Sequence, residues 1–276
     1  MTSPARRHMQ QALARQAAAP TARPGPSEIA EDSDAGREYR LLLVAMGEDL
    51  RQLQSIQSIT RKVEVKTAMM GQYADWLEGA QQRPEAVQDD IVFHCMVWAM
   101  DIGDWEQAFD LANLVLLHEM ASPVQFNRTP AAIIAELPAN NALGPKPTIS
   151  LDWLKAFRDL TADQDMHDQI RAKVQKAIGL ALKAQADAFD PDAESAPAGG
   201  KAALIAAATE ELTKALHLDQ HCGVKVTLAQ LSRAAVALKE EKTQCATPSK
   251  PSAAPSQARP TPSRKPSKTP STRSKS

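Results

Sequence analysis

Asp89, Asp90, Asp101 and Asp104 fall within sixteen residues of one another in the stretch VQDDIVFHCMVWAMDIGDWEQAFDLANLVLLHEM, Val87 to Met120, with His94 between the two pairs. Carboxylates at this density could serve a two-metal nuclease, in which three or four converge on ions about 4 Å apart and activate water against a phosphodiester. The apolar residues between them set the geometry. Ile91, Cys95, Trp98 and Ile102 recur at steps of four and three, with Val92, Met96 and Ala99 widening the stripe, which predicts a helix. Trp105, Ala108, Ala112 and Val115, joined by Phe109 and Leu116, predict a second. The two acidic pairs then sit at opposite ends of the first helix, about 20 Å apart at the helical rise, and cannot share an ion within one subunit. Each has an ordinary helix-end role instead. Asp89 and Asp90 suit a first turn, where the helix dipole favours negative charge. Gly103 suits a left-handed helix end, and Asp104 with Gln107 suits the N-cap of the next helix. The expectation is a tight helical hairpin, with His94 packed among VF and CMVW rather than ligating.

Two other clusters have ligand chemistry. TADQDMHD offers Asp163, Asp165, His167 and Asp168, but it precedes a helix and reads as a cap region. HLDQHCG offers His217, His221 and Cys222, without a second half to complete a four-coordinate zinc site. There is no phosphate-binding G-x-x-x-x-G-K-[ST] and no G-x-S-x-G, so neither an ATPase nor a serine hydrolase is signalled. No cofactor is identifiable; Mg2+ would be required only if the chain itself cleaved nucleic acid.

These residues need elements to position them. With 276 residues the chain is long enough for one large domain or two small ones. Abundant alanine, few β-branched residues and only 11 glycines predict an all-α protein. Tyr39, Leu43, Met46, Leu50 and Leu53 form a narrow seam on one helix, suited to pairing within the subunit or between subunits. Val63, Met69, Met70, Tyr73, Trp76 and Leu77 supply the apolar side of the next. The segment ASPVQFNRTPAAIIAELPANNALGPKPTIS has five prolines and reads as a connector with one short helical piece. Further helices are expected at 151–160, 166–189, 202–218 and 224–241, with DPDAESAPAGG interrupting them, small residues where paired helices approach, and a tetratricopeptide-like ALHLD. The predicted organisation is a basic arm at 1–36, a helical domain with the hairpin at 37–122, the connector at 123–150, a second helical domain at 151–242, and a basic tail at 243–276.

Charge is segregated along this chain. Arg6, Arg7, Arg15 and Arg23 lie in the first 26 residues with no acid, and Lys250, Arg259, Arg264, Lys265, Lys268, Arg273 and Lys275 lie in the last 31, again with none. The whole chain is −1, the ends together carry eleven positive charges, and the body therefore carries −12. Such ends usually meet a polyanion, most often nucleic acid. The Pro/Ser/Thr-rich tail cannot bury enough surface to order itself and is expected to be disordered, suited to tracking phosphates; a solubilising linker is the plainer alternative. The N-terminal arginines, without an apolar centre, read as a basic arm rather than a secretory signal. Three widely spaced cysteines (Cys95, Cys222, Cys245) suggest a reducing compartment, and no apolar run is long enough to span a membrane.

MTSPARRHMQ, QDDIVFHCMVWAMDIGDWEQAFDLA, RTP, DMHDQIRAKVQKAIGLAL and ALHLDQHCGVK, followed by the basic tail, occur in an order that resembles the small terminase subunit family of temperate tailed phages with cohesive-end packaging, labelled terminase endonuclease subunits. The resemblance runs over nearly the whole chain. It implies a DNA-packaging component in the host bacterial cytoplasm that recognises the cos region of concatemeric double-stranded phage DNA and directs its cleavage. It would work beside a large terminase ATPase subunit, as a homo-oligomer. The DNA-binding residues expected are Arg6, Arg7, Arg15, Lys250, Arg259, Arg264, Lys265, Lys268, Arg273 and Lys275. The resemblance brings no catalytic set to transfer, so cleavage by the chain itself stays open. The alternative is a non-catalytic helical adaptor with a solubilising tail.

Overall fold

Short polar residues start most of the helices. A computed structural model describes residues 4–15, 26–190 and 200–246, with Arg15 and 241–246 given by backbone alone. The chain divides into two units after Leu238, and both hydrophobic cores belong to the first. The described residues form ten helices and no strand: α1 (Pro4–Arg15), α2 (Asp34–Ser55), α3 (Ile59–Gln81), α4 (Asp90–Ile102), α5 (Trp105–Leu117), α6 (Pro130–Leu143), α7 (Leu151–Leu160), α8 (Asp168–Asp187), α9 (Gly200–Leu218) and α10 (Lys225–Ala246). The chain is therefore all-α, as composition predicts. Ser33, Ser58, Asp89, Asp104, Thr129 and Ser150 each cap a helix by accepting a backbone N–H from its first turn. Among the described residues extended pairing is limited to isolated bridging, as in the parallel bridge between Ser27 and Val87.

The hairpin of α4 and α5 forms as its spacing predicts. Gly103 ends α4 at φ 83°, a left-handed conformation that costs glycine little, and Asp104 caps α5 at once. Ile91, Val92, Phe93, Cys95, Met96, Trp98 and Ala99 are buried in α4, and Trp105, Ala108, Leu111, Ala112 and Val115 in α5. α3 lays Tyr73, Trp76 and Leu77 on this pair, with Tyr73 meeting Trp98 edge to face at 6.0 Å and Tyr39 of α2 stacking on Trp76 at 5.6 Å. The α2 seam thus closes within the subunit: Met46 and Leu53 are buried, Tyr39, Leu43 and Leu50 pack against the same core, and Leu42 joins them.

Two segments hold more helix than expected. Residues 1–36 contain α1, which docks on α3 and α2: Ala14 is fully buried, Gln10 donates to Glu38 of α2 at 2.6 Å, and a Cβ on Gly79 of α3 would lie 2.5 Å from Gln11 O. The absence of a side chain at Gly79 lets the two backbones approach. The segment that reads as a proline-rich connector contains α6, fourteen residues long with Pro130 in its first turn and Pro138 inside. α6 divides its faces between two cores. Ile133 and Ile134 join the cluster of α1 to α5, while Ala132, Ala135 and Ala139 join a second cluster with Leu154, Ile170, Val174, Ile178, Leu182, Ile205 and Leu212. Proline content suggests loop because it counts lost N–H donors; here Pro130 sits where a donor is spare, and burial on both faces outweighs the one bond lost at Pro138. In the second cluster α8 and α9 pair closely, Leu212 seated against Gly179. The helices expected at 151–160, 166–189, 202–218 and 224–241 are α7 to α10. The interrupting loop at 191–199 and the basic tail from 247 lie outside the described residues.

Candidate functional site

The four carboxylates of the hairpin go to four separate duties. Asp89 is fully buried, and all its capacity is used: Oδ1 accepts the N–H of Ile91 at 3.1 Å and of Val92 at 3.2 Å, while Oδ2 accepts Trp76 Nε1 at 2.9 Å and Arg83 Nη2 at 3.1 Å. Arg83 is buried too, donates Nε to Ala14 O at 2.7 Å and lies over the Trp76 ring at 5.9 Å. The sequence pattern suggests a first-turn position for Asp89; it is instead the N-cap of α4, and its ion pair ties α1, α3 and α4 together. Asp90 does occupy the first turn, accepting from Gln88, with its backbone N–H donating to Tyr39 Oη at 2.9 Å. Burial, reinforced by the charge of Asp89, pushes the Tyr39 phenol well up, so it stays protonated. Asp101 pairs with Lys66 of α3, and Asp104 accepts Gln107 N–H at 3.2 Å. Asp89, Asp90, Asp101 and Asp104 do not fit a shared Mg2+.

His94 is buried, as the sequence suggests, with Nε2 against the Gln125 amide and its ring 5.4 Å from Phe126. Burial lowers its pKa, and burial then Arg83 lower that of His118. Cys222 is half-buried, and His217 and His221 are exposed. Among the described residues no three His, Cys, Asp or Glu side chains are grouped as a metal site requires.

A polar recess that brings unlike charges together lies where the start of α6 faces the start of α8. Two hollows of about 330 and 280 Å3 share Asn127, Arg128, His167 and Ile170. Glu136, 12% exposed at its side chain, sits between Arg128 and Lys173 and pairs with both. Burial, then the nearby Arg128, lowers the Lys173 pKa. His167 occupies the N-cap of α8, without a side-chain cap bond, and Asp168 lies in the first turn, so this cluster is the cap region that the sequence suggests. Asp165 also lines the recess, so two cations face two carboxylates. The lining can hydrogen-bond a polar group, but it has little net charge to hold a phosphate.

Of the residues expected to contact DNA, Arg6 and Arg7 stand on the exposed side of α1, Arg6 with Nη2 3.8 Å from Glu38 Oε1. The side chain of Arg15, and Lys250, Arg259, Arg264, Lys265, Lys268, Arg273 and Lys275, lie outside the described residues. Sequence reasoning does not find Arg83 or the Glu136 pairs. A single arginine placed just before the acidic run, in QQRPEAVQDD, is the available sign for the first; the second joins positions 37 residues apart and leaves none.

Fold and site together define an all-helical scaffold, organised around a buried ion pair and carrying basic ends. The family model described as phage small terminase subunit matches residues 43–169. The terminase, endonuclease subunit of Escherichia phage P2 is 30% identical over 236 residues, which span 84% of this chain and 85% of that protein. The probable terminase, endonuclease subunit of Haemophilus phage HP1 (strain HP1c1) is 20% identical over 200 residues, 69% of this chain and 68% of that one. No solved structure matches. The chain belongs to the phage small terminase subunit family, and its role is in phage DNA packaging. Among the described residues no helix is long and apolar enough to cross a membrane.

Proposed function

We propose that this chain binds the cos region of concatemeric phage DNA in the host cytoplasm and directs its cleavage, as a homo-oligomer acting with a large ATPase subunit. The observation that carries the reading is charge segregation: eleven cations at the two ends of a body at −12. A body of that sign is repelled by DNA, so contact begins at the ends. α1 supports this by holding Arg6 and Arg7 on a folded surface, locked to α3 through Ala14 and Gly79. Arg15 and the seven tail cations complete the proposed contact set. Cleavage-directing rather than cutting is the preferred role because Asp89 has no open lone pair and Asp101 and Asp104 are held by structural partners.

Intrinsic endonuclease activity is the second reading, favoured by the names of the P2 and HP1 relatives. The purified chain, incubated with cos-containing DNA and Mg2+ with and without the large subunit, distinguishes the two. Retention of DNA without cutting, and cutting at cos only when the large subunit is added, is the expected result. Cutting by the chain alone establishes the second reading, and failure to retain DNA leaves an adaptor with a solubilising tail.

A further inference from the structure

The face of α2 turned away from the core carries Asp34, Arg37, Leu41, Val44, Glu48 and Arg51, spaced alternately by three and four residues. That spacing is the seam of a two-helix coil, yet among the described residues nothing covers it: Leu41 and Val44 are 62% and 65% exposed, and the four charged side chains are exposed between 59% and 73%. The seam that the sequence predicts on α2 lies on the opposite face, where the core has taken it.

The charges identify the occupant. Two copies of α2 laid antiparallel about a twofold between residues 42 and 43 set Leu41 opposite Val44, Arg37 opposite Glu48 and Asp34 opposite Arg51 of the other copy. Every facing pair is apolar with apolar or acid with base. A parallel arrangement sets each charge against its own kind, and a heptad slip sets Leu41 and Val44 against charges. Like charges held opposite one another are disfavoured, so the pattern selects one orientation and register. An isologous contact requires this self-complementarity, and an unrelated partner does not. Within each subunit Asp34 already pairs with Arg37, and Glu48 with Arg51 at 2.9 Å, so the side chains are pre-positioned beside one another. Ala45 and Gly47 flank the seam and leave room for close approach.

We infer that the outer face of α2 is a contact between two copies of this chain, joined antiparallel through Leu41 and Val44 and registered by Asp34, Arg37, Glu48 and Arg51. This rests on the homo-oligomer reading and names its surface. Four apolar side chains give a contact at the small end of the specific range, so association depends on protein concentration.

Sedimentation of the full chain over a range of concentrations tests both. Leu41→Asp is expected to weaken association at least tenfold with an unchanged helical spectrum, since Leu41 takes no part in the core. Leu117→Asp, at an equally exposed apolar residue (71%) on α5, is expected to leave association unchanged. The variant with Asp34→Arg, Arg37→Glu, Glu48→Arg and Arg51→Glu reverses all four charges together. It is expected to self-associate as the parent does but not to mix with it. If the parent is monomeric at every concentration, the oligomer reading and this contact both fall. If the parent associates and Leu41→Asp associates equally, or if the charge-reversed and parent chains mix freely, this contact alone is overturned and the oligomer is built elsewhere.

Discussion

Removing the Asp89 carboxylate strands Arg83, which is buried with its guanidinium divided between Asp89, Ala14 O and the Trp76 face. An uncompensated buried charge typically costs about 3–5 kcal/mol, and the cap of α4 is lost with it. Asp104 serves α5 as a cap, so Asp104→Ala is expected to cost only about 1 kcal/mol. Urea denaturation of Asp89→Ala and Asp104→Ala separates these. Unchanged stability with loss of DNA cleavage in Asp104→Ala would instead make that carboxylate chemical. His94 and His118 set the acid limit. Both are held below their ordinary pKa, so below about pH 6.5 the unfolded chain takes up protons that the folded chain refuses, and stability falls as pH drops. The loss is expected to set in as pH falls below about 6.5, with little change above about 7.5, and His94→Gln should make the slope shallower. At this scale the cap of α5 and the packed His94 are legible in the sequence, because both depend on neighbours in the chain. The role of Arg83 is not, because besides Asp89 it holds the Ala14 carbonyl of α1, which lies 69 positions away.

Helices declare themselves by period, and their partners do not. α4, α5 and α7 fall where the spacing of apolar residues places them. α1 has a weaker pattern, since its buried residues are an alanine and a glutamine, and α6 has two apolar faces rather than one stripe. Composition is then the stronger signal in both, and it points to an arm and a connector. The docking of α1 can be tested through two glycines of α3. A Cβ at Gly79 meets Gln11 O at 2.5 Å and Ala14 Cβ at 2.6 Å, whereas one at Gly71 meets nothing within 4 Å. Gly79→Ala is expected to destabilise by about 1–3 kcal/mol through overpacking. Gly71→Ala is expected to stabilise by about 0.5–1 kcal/mol through helix propensity alone. Thermal midpoints moving the same way in both variants would show that α1 is not seated on α3. Leu50→Asp tests the inner seam of α2 in the same way. It puts a charge against the first core and is expected to cost at least about 2 kcal/mol and lose helicity, not to release folded monomers.

Over the whole molecule, the two cores joined by α6 and α7 are legible in the sequence only as a series of helices, because which face meets which core is a matter of three dimensions. Charge distribution, by contrast, is fully legible, since a sum along the chain needs no fold. It leads to the tail. Seven cations over the last 31 residues, without an acid, are expected to meet phosphates rather than base edges. Each phosphate neutralised releases counterions, so if about four tail cations engage together, deleting residues 246–276 flattens the log-affinity against log-salt slope by about 3.6. Raising salt from roughly 50 to 200 mM then weakens the intact chain about a hundredfold more than the truncated one. Preference for cos over random DNA is expected to survive the deletion, because base readout requires side chains held at a fixed register and evenly spaced charge supplies none. Titrations of both forms on both DNAs at several salt concentrations decide it. Equal slopes would make the tail a linker, and a cos preference lost with the tail would place specificity in it and remove the folded helices from recognition.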